Sequence, residues 1–146
     1  MWSSYEGQTI YLDSNIIIYA AEKNHSWMRA TQTLLEQIDN GIFDAMTSEL
    51  VLAEVLAVPM AVKNHSLVQA YDELFEVDSV LRLLPVNRSV LKLAADLRGQ
   101  LKLKLADAIH VATAQLAGCD YFLTQDERLG RALANQPKWL KLSEIN

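Results

Sequence analysis

Thr9-Ile10-Tyr11-Leu12-Asp13-Ser14-Asn15-Ile16-Ile17-Ile18-Tyr19-Ala20-Ala21-Glu22 is the stretch whose reading decides the fold. Ile10-Tyr11-Leu12 is a short apolar run of strand type that ends on an acid. Helical text follows from Asn15 to Glu22, with Ser14 or Asn15 placed to cap it. A buried strand that passes through an acid into a helix opens an α/β fold, and ligands of open α/β sheets bind outside the carboxyl ends of such strands.

Working outward, the alternation continues to the end of the chain. The residues predict a helix over His25 to Asn40 stopped by Gly41, and a second strand over Ile42 to Thr47. Ser48 then caps a helix to about Val58, where Pro59 breaks or kinks it. A helix over Ser66 to Phe75 leads to a third strand over Val80 to Val86, with regular pairing lost near Pro85. Asn87 caps a helix to about Gln100, and another spans Lys104 to Ala117 before Gly118. Tyr121 to Thr124 reads as a fourth strand, Glu127 to Ala134 as a short helix, and Trp139 to Leu142 as a last strand. Such alternation favours a mainly parallel sheet covered on both faces, with right-handed crossovers. No linker, repeat or low-complexity tract interrupts it, so residues 1–146 are expected to form a single domain.

A chain of 146 residues buries about 68–70% of its unfolded surface and needs no covalent staples. Its one cysteine, Cys119, excludes an internal disulfide and a multi-cysteine zinc site. The most apolar stretch, Leu50 to Val62, is too short to span a bilayer and contains Glu54 and Pro59. Met1 to Gln8 lacks the pattern of a signal peptide, and a cytoplasmic location is expected. A net charge of −5 argues against broad, non-specific nucleic-acid binding unless cations offset the acids. The hydrophobic fraction of 51% fits a large core or a buried homodimer face.

Asp13 ends a strand, Asp126 ends another, and Glu54 and Asp107 interrupt apolar helical text. Each has a plain alternative. Asp13 and Asp126 suit helix caps, and Asp107 suits the first turn of its helix or a pairing with Lys104. Glu54 is harder to place, because Leu50, Val51, Ala57 and Val58 surround it one turn away. Its alternative is a salt bridge to a distant Lys or Arg. Clustered without cations, the acids would repel and lose hydration at several kcal/mol, on the order of that much per ion. Together they make chemical sense around Mg²⁺ or Mn²⁺. The expectation is that Glu54 turns toward Asp13 and Asp107 across the carboxyl edge of the sheet.

These residues resemble the PIN-domain family of metal-dependent ribonucleases, notably the VapC-type toxins of toxin–antitoxin pairs. The resemblance runs roughly from Ile10 to Leu142 and rests on four motifs. They are Tyr11-Leu12-Asp13-Ser14-Asn15, Thr47 to Val55, Lys104 to Ala114, and Phe122 to Leu129, the third being the most specific. It implies an α/β/α sandwich and a metal-binding quartet of Asp13, Glu54, Asp107 and Asp126, with Asn15 and Thr124 at supporting positions. Ser14 and Gln125 depart from the residues most frequent there, without removing an acid. The resemblance further implies an RNA substrate, an antitoxin partner and a homodimer.

The expected activity is Mg²⁺- or Mn²⁺-dependent endoribonuclease action. The competing reading is a non-catalytic RNA- or protein-binding module on the same fold. A phosphatase with Asp13 as nucleophile is disfavoured because Asn15 stands where a second Asp belongs. No G-x-G-x-x-G turn follows a strand, which disfavours dinucleotide binding. Lys102, Lys104 and Arg128 flank the quartet and could meet RNA phosphates, against the alternative of solvated helix faces. His110, one turn from Asp107, could touch substrate, against the favoured reading of an ordinary hydrogen-bonded histidine on a packed helix.

Overall fold

The computed structural model describes residues 2–76 and 79–145. A 3-10 turn, Trp2–Tyr5, precedes strand β1, Thr9–Leu12. Helices α1 (Ser14–Ala21) and α2 (Met28–Asp39) lead to β2, Asp44–Ser48. Helices α3 (Leu50–Ala61) and α4 (His65–Leu74) lead to β3, Leu81–Leu84. Then follow α5 (Arg88–Leu101), α6 (Leu105–Leu116), β4 (Tyr121–Leu123), α7 (Glu127–Ala132) and β5 (Lys138–Leu140). A second 3-10 turn, Leu142–Glu144, ends the described chain.

The strands form one sheet in the order β3-β2-β1-β4-β5, and all pairings are parallel. The chain builds outward from β1 in one direction, then returns past β1 to add β4 and β5 on the other side. Right-handed crossovers put helices on opposite faces when the direction reverses. The two cores follow that rule. Ile10 and Leu12 pack with residues of α1 to α4, including Ile16, Leu34, Val55 and Tyr71. Tyr11 faces the other way and packs with α5 to α7 through Val90, Ala94, Ala112 and Leu129. Alternation along β1 thus serves two apolar layers, and the α/β/α sandwich expected from the sequence is observed. Its sheet is parallel throughout.

Several boundaries differ from the sequence expectation. Of the caps the sequence offers for α1, Asp13 takes the position rather than Ser14 or Asn15, and it accepts a hydrogen bond from Ser14 N. Helix α2 begins at Met28 rather than His25, because Asn24 draws the preceding residues into a turn through bonds from Ser26 N and Trp27 N. Helix α3 runs through Pro59 to Ala61. A proline so near the helix end removes one donor and leaves little helix to disrupt, and its ring is buried. The N-cap position of α3 is Glu49, although Ser48 Oγ still accepts from Leu50 N at 3.0 Å. Strand β3 stops at Leu84, directly before Pro85 as expected, and β5 is Lys138–Leu140 rather than Trp139 to Leu142.

Candidate metal centre

β1 and β4 are neighbours in the sheet, and the chain changes direction between them. Their carboxyl ends deliver Asp13 and Asp126, the N-caps of α1 and α7. Asp13 is buried, with 3% of its surface exposed. Its Oδ1 accepts from Ser14 N at 2.8 Å, and its Oδ2 from the Thr124 hydroxyl at 2.7 Å and Asn15 Nδ2 at 3.4 Å. Thr124 Oγ1 in turn accepts from Asn15 Nδ2 and from Asp126 N, both at 3.1 Å. One hydroxyl therefore ties the end of β1 to the start of α7. The Thr124 carbonyl accepts from Trp139 Nε1 at 3.0 Å, fixing this turn to β5.

The helix-borne acids arrive from opposite faces of the sheet. Asp107 stands half-buried in the first turn of α6. Glu54 projects from α3, and its Oε1 lies 2.5 Å from His110 Nε2. That contact corrects the expectation that Glu54 turns directly to Asp13 and Asp107. An imidazole on α6, one turn from Asp107, takes the carboxylate instead. The pairing stays inside the cluster, because Asp13, Glu54 and Asp107 all act electrostatically on His110. His110 is the hydrogen-bonded histidine on a packed helix that the sequence suggests, and Glu54 is the partner that reading leaves unnamed. The available signal was Glu54 itself, an acid in apolar company that needed a donor, and His110 is the histidine set in apolar helical text.

Protonation follows from this crowding. Burial raises the Asp13 carboxyl above its ordinary value, opposed by His110, Thr124 and Ser14 N and reinforced by Glu54. Burial also raises Asp107, helped by the charges of Asp13 and Asp126 and opposed by His110 and Lys104. Burial alone would lower His110, but the hydrogen bond it donates to Glu54 and the surrounding carboxylates outweigh it, so the imidazole is raised. Among the described residues, no Lys or Arg forms a salt bridge with Asp13, Glu54, Asp107 or Asp126.

A small cleft opens onto Asp107 and Asp126, and Lys102, Lys104 and Arg128 line it as well. All three cations are exposed. Lys102 holds a left-handed conformation at φ 55° that ends α5 beside the cleft.

Among the described residues, no group of three or more His, Cys, Asp or Glu side chains is gathered tightly enough to hold a metal ion as placed. The donor set nonetheless suits one. It offers carboxylate oxygens, it raises the affinity of Asp13 and Asp107 for protons, and among the described residues no Lys or Arg is salt-bridged to it.

A sequence profile described as PIN domain matches residues 10–133. Among solved structures, VapBC2 from Rickettsia felis bound to a promoter DNA fragment is similar at 18% identity and TM-score 0.72, covering 92% of this chain and 98% of that one. A toxin–antitoxin complex from Klebsiella pneumoniae is similar at 24% identity and TM-score 0.66, covering 91% and 97%. FitAcB from Neisseria gonorrhoeae is similar at 19% identity and TM-score 0.69, covering 92% and 98%. Among curated protein sequences none matches the chain. No described helix is long and apolar enough to cross a membrane.

Proposed function

The chain belongs to the PIN-domain family, and from that premise we propose that it is a single-domain endoribonuclease dependent on Mg²⁺ or Mn²⁺ and the toxin of a toxin–antitoxin pair. What supports this reading is buried Asp13 at the switch point of the sheet within electrostatic reach of Glu54 and Asp107, Asp107 and Asp126 on one cleft, and no Lys or Arg salt-bridged to the four among the described residues. In the reading, these four acids hold the cation. A divalent ion held there lowers the pKa of water and neutralises charge on phosphoryl oxygens.

The chain's own residues do the rest. Thr124 and Asn15 fix the Asp13 carboxylate in one rotamer. Asp107 and Asp126 border the cleft through which a phosphodiester enters. Lys102, Lys104 and Arg128 bind the flanking phosphates, giving an acidic protein a local basic surface for RNA. An apolar end of α3, with Val58 70%, Met60 55% and Val62 66% exposed, supports a homodimer that covers it. An antitoxin is the second partner in this reading, and the cytoplasm is its location.

The test is cleavage of single-stranded RNA with Mn²⁺, abolished by EDTA. Asp13→Asn keeps a competent helix cap and should lower activity at least about 100-fold with the fold intact by circular dichroism. Full activity in that variant would refute the mechanism. Absence of saturable Mn²⁺ binding would favour the non-catalytic module.

A further inference from the structure

Glu54 ends a hydrogen-bonded chain that begins in the middle of the sheet. Tyr11 on β1 has 0% exposure, and its ring is stacked on Phe122 with centroids 5.1 Å apart. Its hydroxyl lies 2.6 Å from His110 Nδ1. His110, also 0% exposed, meets Glu54 Oε1 through Nε2. Both ring nitrogens are thereby engaged, and the ring stands edge-on to Tyr11. The chain links β1, α6 and α3.

The exposure of the last member is what distinguishes this chain from core packing. The Glu54 side chain is 25% exposed and has access to water. A solvated carboxylate gains little solvation from a buried imidazole, but it does lose its freedom to rotate. The network ends where orientation matters.

We propose that His110 is a positioning residue: anchored by Tyr11, it holds Glu54 Oε1 and leaves Oε2 as the oxygen presented to a divalent cation. In the neutral ring the phenol donates to Nδ1 and the ring proton sits on Nε2, and in the charged ring both nitrogens donate, so in either state Nε2 donates to Oε1. The proposal rests on the reading of Glu54 as a member of the metal-holding set.

The experiment is calorimetric titration of the full chain with Mn²⁺ alone, using wild type, His110→Leu, His110→Gln, Tyr11→Phe and Asp13→Asn. His110→Leu should weaken Mn²⁺ binding about tenfold or more, while His110→Gln, whose amide reaches the Nε2 position, should stay within about threefold of wild type. Tyr11→Phe, which keeps the ring and removes the anchor, should fall between them. Wild-type affinity in His110→Leu, or equal losses in the Leu and Gln variants, overturns the proposal. If His110→Leu does not fold, unchanged affinity in Tyr11→Phe overturns it, and weakened affinity supports it. The control separates the two claims: if Asp13→Asn binds Mn²⁺ like wild type, the metal centre itself is refuted. If Asp13→Asn loses binding and His110→Leu does not, only the role of His110 fails.

Discussion

Thr124 donates its hydroxyl proton to Asp13 Oδ2 at 2.7 Å, joining residues 111 positions apart. Thr124 Oγ1 itself accepts from Asn15 Nδ2 and from the amide of Asp126, so one side chain serves three groups of the candidate site. Thr124→Val keeps the shape and removes all three bonds. The expected cost is about 1–3 kcal/mol, because Asp13 is left buried with a poorer set of donors. Urea denaturation should show the lower midpoint, and Mn²⁺ binding should weaken in parallel. A variant as stable as wild type would mean that Asn15 alone suffices to hold the carboxylate.

Acid should stabilise the metal-free protein. Asp13, Asp107 and His110 all bind protons more tightly in the fold than ordinarily, with burial the largest cause for the two acids. A raised folded pKa gives stability that is fully present below the unfolded value and is lost as pH rises through the folded one. In EDTA, Tm should therefore increase as pH falls from neutrality toward the upper carboxylate range. Mn²⁺ competes with those protons, so its stabilising shift should be largest at neutral pH and shrink on acidification. Thermal melts across pH with and without Mn²⁺ test both slopes. A Tm in EDTA that falls steadily on acidification would contradict the assignment.

Lys102 sits in the left-handed region, where a side chain costs about 1–2 kcal/mol relative to glycine. Lys102→Gly should stabilise the fold by about 1 kcal/mol while removing a charge from the cleft. If the lysine contacts RNA phosphate, KM should rise and the salt dependence of binding should flatten by a log–log slope of about 0.7, with kcat little changed. A more stable protein with unaltered KM would leave Lys102 with no part in binding RNA.

The fold was legible because its signals are local. Apolar runs ending in Asp13 and Asp126 mark strand ends, and Asn87 marks the start of α5 by accepting from Val90 N. Boundaries were less legible where a turn competes with a helix, as Asn24 does ahead of α2, or where a helix tolerates its breaker, as α3 tolerates Pro59. The acids at strand ends could be placed from topology alone. The pairing of Glu54 with His110 could not, because it joins α3 and α6 across 56 residues and depends on how two helices meet. No spacing within either helix encodes it.

Asp13 and Asp126 hold the first turns of α1 and α7 with the same carboxylates that face the site. This double duty constrains how the protein could lose its activity over time. Under the proposed mechanism, an apolar replacement at either position would fray a helix as well as remove a metal-holding carboxylate. Under the same mechanism, asparagine would remove the charge and keep the cap. Lineages released from selection on the reaction, but still selected to fold, should therefore drift from Asp to Asn at these two sites before any other change takes hold.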